Sequence, residues 1–174
     1  SENEKYKIDQ DVKLWTGYLQ RYSDGVQVNL NQYDGLEMLY DQGKFITAYF
    51  PSERKAQFMR PNGVENITLE NPYGIDKSAG NILLKYMVHL KTQQAYARNE
   101  GDQTTADKIQ QWFDRFDSAL QILLDEESIH IEYDYKKYDF KIRQNGREPF
   151  SFNELSDGYS SVIYIVSDLI LRMD

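Results

Sequence analysis

Apolar positions recur every three or four residues in some stretches of the chain and every second residue in others, and that change of period lays out its elements. Over residues 6–22 the spacing of Val12, Trp15, Leu19 and Tyr22 predicts one face of a helix, closed by the Ser23-Asp24-Gly25 turn. Val26-Gln27-Val28-Asn29-Leu30 then alternates as a strand does. Residues 36–40 fit either a strand or a short helix. A strand is the expectation, because Phe45-Ile46-Thr47-Ala48-Tyr49-Phe50 would then pair with it through a Gln42-Gly43-Lys44 turn. That second segment is apolar on both faces, as a buried central strand is, and it stops at Pro51. Residues 64–72 read as irregular chain or a short edge strand.

Two long helices come next. Ile82, Leu83, Tyr86, Met87 and Leu90 form one apolar stripe, with Ser78 or Asp76 as its predicted cap. Glu100-Gly101-Asp102 breaks the helix, and Ile109, Trp112, Phe113, Phe116, Leu120, Leu123 and Leu124 resume the same period. An antiparallel helical hairpin follows from that pairing. Beyond Asp125-Glu126-Glu127 the period drops to two. Ile129, Ile131, Tyr133 and Tyr135 alternate with His130, Glu132 and Asp134, and Tyr138, Phe140 and Ile142 alternate again after Lys136-Lys137. Asn145-Gly146 is a strong hairpin signal, and Phe150 and Phe152 complete a three-stranded meander with one aromatic face. The fold class is therefore α+β: small antiparallel sheets with a long antiparallel helical hairpin. Three regions are expected, residues 1–75 with strands, 76–127 as the hairpin, and 128–174 as the meander, a loop and a final helix.

Composition narrows the function classes. Asp and Glu number 28 against 20 Lys and Arg, a formal charge of −8, which argues against a basic nucleic-acid groove in this stretch. There is no cysteine, hence no disulfide framework and no thiolate metal site. His89 and His130 lie in separate segments, outside any HxxxH or HExxH pattern, so no metal site is expected. No apolar run reaches the roughly 20 residues that span a bilayer, and Ser1-Glu2-Asn3-Glu4 does not read as a signal peptide. A cytoplasmic location without membrane association is the expectation. Fourteen tyrosines suit a sheet-containing core better than a bare coiled coil.

The candidate chemistry lies near the C-terminus. Leu155-Ser156-Asp157-Gly158-Tyr159-Ser160-Ser161 follows the aromatic run of Phe150 and Phe152 and opens the helical, apolar stretch from Ser161 to Met173. A turn that offers a serine hydroxyl and glycine amides before a helix suits an anion, because the helix N-terminus carries unpaired N–H groups and partial positive charge. Gly158 lets a phosphate approach the backbone without a Cβ in the way. The same residues also make an ordinary capped helix start.

This run, in its order of hairpin strands, loop and helix, resembles the LSGGQ-like signature motif of ABC-type ATPases, in the SMC/RecF-like (AAA family ATPase) branch. The Tyr49-Phe50…Arg54 segment is similar to one that lies between the phosphate-binding loop and the signature in that branch, and the hairpin resembles a much shortened form of its coiled coil. The resemblance implies an incomplete P-loop ATPase fold. It also implies ATP and Mg2+ as cofactors of the full-length protein, and a second copy of the ATPase as partner in a homodimer. Ser156 would donate to the γ-phosphate of ATP held by that partner, Gly158 and Tyr159 would offer amides, Asp157 would shape the turn, and Arg54 would lie on the ligand side. Asp157 stands where the family commonly has glycine and Tyr159 where it has glutamine, so that glutamine's contacts are not carried over. DNA repair or defence against foreign DNA, with DNA held by other regions, is the use such a family implies.

The GxxxxGK[ST] loop that cradles phosphates in such enzymes is absent from the chain. No apolar strand ends in the Asp-Glu pair that would hold Mg2+, since Leu123-Leu124-Asp125-Glu126-Glu127 continues a helical period and precedes the signature. The chain is thus expected to be the middle fragment of a longer ATPase, inactive by itself, with no catalytic residue of its own. The alternative is a non-enzymatic acidic module that docks a protein partner through the helical hairpin or an edge strand.

Overall fold

A computed structural model of the chain describes residues 2–22, 35–51 and 58–174. Two compact units make it up, Ser1–Leu36 and Glu37–Asp174. In the first, α1 (Glu2–Tyr22) is the predicted helix. It leaves Ile8, Val12, Trp15 and Leu19 largely exposed. The predicted strand at residues 26–30 lies outside the described residues.

The second unit is built on the helical hairpin, α3 (Leu83–Glu100) and α4 (Gln103–Leu124). Gly101 ends α3 with φ +78°, a left-handed conformation that glycine adopts without steric cost. Asp102 starts α4, its carboxylate accepting the Thr105 N–H at 3.0 Å. Contacts then step outward as they must between antiparallel helices. The Gln94 amide reaches the Ala106 carbonyl and Gln110, and farther along the ring of Tyr86 meets Trp112 edge-on at 5.8 Å. The first two turns of α3 are buried on nearly every side, Leu83, Leu84, Met87 and Val88 to 2% exposure or less.

The meander forms as its alternation requires: β1 (His130–Asp134), β2 (Asp139–Arg143) and the short β3 (Phe150–Ser151), in the antiparallel order β1-β2-β3. Ile131 faces Ile142 and Tyr133 faces Phe140 across the first pair. The Tyr133 and Phe140 rings stack at 4.6 Å, and Phe140 stacks in turn on Phe113 of α4, so the aromatic face closes over the hairpin. Phe152 falls in a short 3-10 turn after β3, where it is 1% exposed between Phe58 and Phe116. The final helix, α5 (Asp157–Met173), packs Ile163 and Leu171 into the same core. Helices and one small antiparallel sheet together make an α+β arrangement.

Three local expectations fail. Residues 36–40 are not a strand but belong to α2 (Leu36–Asp41). The Lys44 and Phe45 N–H groups both donate to the Leu39 carbonyl, and Gly43 has φ +66°, so the Gln42-Gly43-Lys44 turn closes a helix instead of joining two strands. Residues 45–50 accordingly form no strand, and Tyr49 is 68% exposed where a buried central strand would hide it. At α3, neither Ser78 nor Asp76 caps the helix. A 3-10 turn, Ala79–Ile82, precedes it, and the Gly80 N–H donates instead to Asp168 of α5 at 3.0 Å.

Candidate functional site

β3 and the 3-10 turn deliver the chain to Leu155, and α5 opens two residues later. Within that turn, the Glu154 carboxylate accepts the Ser151 N–H at 2.5 Å. Ser156 is the residue before the helix, with extended backbone (φ −61°, ψ 154°). Its carbonyl accepts the Ser160 N–H at 2.8 Å, and its hydroxyl makes no capping bond. The helix thus begins with its first N–H groups unclaimed by that hydroxyl. Ser156, Asp157, Gly158 and Tyr159 are all exposed. A Cβ placed on Gly158 would meet no atom within 4 Å, so the backbone is open to a ligand. The structure therefore brings four of the five predicted residues together on one accessible turn. Arg54, the fifth, lies outside the described residues.

The electrostatics of that turn are mixed. The helix N-terminus favours negative charge, but Asp157 already places a carboxylate in the first turn. A bare anion is disfavoured by that charge. A phosphate whose charge is shared with a cation suits the turn better.

Beside the loop lies a cavity of about 480 Å³, walled by the C-terminal end of α4, the β2–β3 connection and the turn residues Glu154, Leu155, Ser156 and Tyr159. Leu124, Ile129, Phe150 and Leu155 supply apolar lining. Asp125, Glu126, Gln144, Arg147, Glu154, Ser156 and Tyr159 supply polar groups. Two of the carboxylates are held below the usual range. For Glu126 the main cause is the Ser128 hydroxyl, followed by the Ser128 N–H and the Gln144 amide. For Glu154 it is the Ser151 backbone N–H. Both are ionised at neutral pH.

What anchors α5 was not foreseen from the sequence. Asp168 and Arg172, one turn apart, form an ion pair with both side chains only 2% exposed. The Arg172 guanidinium also donates to the carbonyls of Thr47 (3.0 Å), Gly74 (3.3 Å), Tyr73 (3.4 Å) and Lys77. Asp168 accepts the Gly80 N–H with its other oxygen. The arginine thereby gives backbone oxygens of irregular chain a donor, two of which, those of Tyr73 and Gly74, also accept the Tyr40 hydroxyl and the Lys77 N–H. A charged pair four residues apart in an otherwise apolar helix was the available signal.

Among the described residues no group of three or more His, Asp or Glu side chains is placed to hold a metal ion, and no helix is long and apolar enough to cross a membrane. No protein-family model matches the chain, and no curated protein or solved structure matches it either.

Proposed function

We propose that the chain is the signature-bearing portion of an SMC/RecF-like ABC-type ATPase, and that Ser156 caps the γ-phosphate of ATP held by a partner subunit. One observation supports this reading above others: Ser156, Asp157, Gly158 and Tyr159 stand exposed at the start of a 17-residue helix that is otherwise rooted in the core, with the Ser156 hydroxyl making no capping bond. On this reading the hydroxyl and the first amides of α5 meet the terminal phosphate, and Asp157 is tolerated because Mg2+ accompanies the nucleotide. The phosphate-cradling loop, the Mg2+-holding pair and the catalytic base have no counterpart in these 174 residues and are supplied outside them. ATP then joins two copies, and its hydrolysis releases them. DNA repair or defence against foreign DNA would use such a cycle, which is an argument from fold class alone.

The test is ATP turnover by the full-length protein with and without Ser156→Arg, alongside direct measurement of ATP binding. The arginine fills the space in front of the α5 amides and leaves a distant phosphate loop untouched. Turnover is expected to fall by at least ~100-fold, the scale for losing a hydrogen-bond donor to a developing charge, with ATP still bound. Unchanged turnover refutes the proposal and makes the loop an ordinary helix start.

A further inference from the structure

We infer that the cavity beside Ser156 is a docking site for a basic segment of a partner protein, taking an arginine side chain with the residues that flank it. The inference goes beyond the ATPase reading and stands without it.

The cavity combines two features that seldom coincide by accident in a small domain. About 480 Å³ is room for a short peptide segment, and it falls in the range of ligand sites generally. Its apolar lining, Leu124, Ile129, Phe150 and Leu155, matches the aliphatic stem of a long basic side chain, which packs on apolar surface while its head reaches polar groups. Three carboxylates, Asp125, Glu126 and Glu154, face one guanidinium, Arg147, so the wall carries a net charge of −2.

Those carboxylates are positioned groups. Glu126 is fixed by Ser128 and Gln144, at 2.8 Å and 3.2 Å. Glu154 is fixed by Ser151. Asp125 is set by the left-handed end of α4 (φ 50°). An arginine forms paired, charge-assisted bonds with carboxylates held in this way, and its planar head lies against an aromatic ring such as Tyr159. Arg147 does not cancel the wall. It acts on Glu126, while Lys141 and Arg60, which do not line the cavity, act on Glu154. An anion without an accompanying cation is the poorer fit inside the cavity, since it would meet three carboxylates for one guanidinium.

The probe is a capped peptide, acetyl-Gly-Arg-Gly-Arg-Gly-amide, titrated into the 15N-labelled chain at low salt. The expected result is amide shift changes in residues 124–129, 144–147 and 154–159, with affinity that weakens as salt rises. Asp125→Asn, Glu126→Gln and Glu154→Gln combined keep the side-chain shape and one accepting oxygen at each position, and they should weaken binding by at least tenfold. Three results overturn the inference: no shifts at these residues, equal binding by the combined variant, or equal binding of a peptide with glutamate in place of arginine. An unchanged spectrum of the combined variant outside the cavity excludes misfolding as the cause of lost binding. Ser156 lines this cavity too, so the titration keeps Ser156 intact and reads peptide binding alone, without ATP turnover.

Discussion

The buried pair on α5 makes the most demanding energetic claim about this molecule. Removing Arg172 as Arg172→Ala leaves the buried Asp168 carboxylate, among the described residues, with the Gly80 N–H as its one remaining partner. It also strips a donor from the carbonyls of Thr47, Tyr73, Gly74 and Lys77. Breaking a buried ion pair from one side costs about 3–5 kcal/mol. The Tyr73 and Gly74 carbonyls keep the Tyr40 hydroxyl and the Lys77 N–H as donors, and the other two add up to about 1–3 kcal/mol each, less wherever water enters the space the arginine vacates. We expect a loss of about 4 kcal/mol. An exposed i,i+4 pair would give only about 0.3–0.5 kcal/mol, so the two cases are well separated.

Urea unfolding read by Trp112 fluorescence measures the loss, in a Trp15→Phe background that leaves one tryptophan in the core. With an m-value of about 2 kcal/mol/M, the midpoint should fall by roughly 2 M. Asp168→Ala should cost about 3 kcal/mol, and the double variant less than the sum by about 1–3 kcal/mol, because the two residues share one interaction. Replacing both with apolar residues of similar size, Asp168→Leu with Arg172→Met, should cost less than Arg172→Ala alone. A loss below about 1 kcal/mol for Arg172→Ala, or strictly additive single variants, refutes the clamp.

Three further outcomes follow from the same geometry. Gly80→Ala would put a Cβ at 3.0 Å from the Tyr164 carbonyl oxygen and 3.2 Å from the Asp168 backbone nitrogen; a cost of about 1–3 kcal/mol is expected, read as a fall of several degrees in thermal midpoint. Gly158→Ala meets open space in the first turn of α5 and should leave stability unchanged or raised by up to about 1 kcal/mol, so a lower midpoint would mean the turn is not as open as described. Burial raises the Asp117 carboxyl above its ordinary 3.8, against the lowering effect of the Ile131 N–H it accepts. The folded state therefore binds that proton more tightly, and the favourable contribution present below about pH 3.8 is lost as pH rises through the raised value. The stability of Asp117→Asn relative to the parent should thus improve between pH 4 and 7, and a difference independent of pH in urea titrations would contradict the assignment.

The parts of the fold that were legible in the sequence are those where local signals agree with packing. Gly101 and Asp102 break and restart a helix in two residues, and the rings of Trp112, Phe113 and Phe116 keep the helical period on the buried side of α4. The Asn145-Gly146 turn likewise agrees with the alternation of β2. Residues 36–50 were misread because their local pattern permits two answers. Leu36–Asp41 is short enough that apolar spacing cannot separate strand from helix, and the Leu39 carbonyl, which takes two N–H groups, decided it. Residues 45–50 are apolar for another reason than sheet membership. They pack as irregular chain, with Phe50 edge-on to Tyr164 at 6.5 Å and the Thr47 carbonyl held by Arg172. That arginine is 125 positions away, a pairing no local pattern reveals. The exposed turn at Ser156 was legible as the start of a helix. The cavity beside it was not, because its walls come from three separated segments that only the closed meander brings together.

The position of the clamp bears on the candidate site in a way that its contribution to stability does not capture. Asp157 and Arg172 lie 15 residues apart on one helix, about 22 Å at 1.5 Å per residue. Ile163, Ser167, Asp168 and Leu171 are all buried along that length, so α5 has little freedom to turn about its axis. Gly80 tightens the arrangement, since its backbone touches α5 where a side chain would hold the helix away. The Ser156 turn is thus one end of a rod whose other end is bonded to residues 47, 73, 74, 77 and 80, while the chain entering the turn is held in the core by Phe152. A ligand that pulls on Ser156 must bend the rod or carry those residues with it. The chain at residues 73–80 is therefore joined to the Ser156 turn through the length of α5, although it does not line the cavity beside that turn.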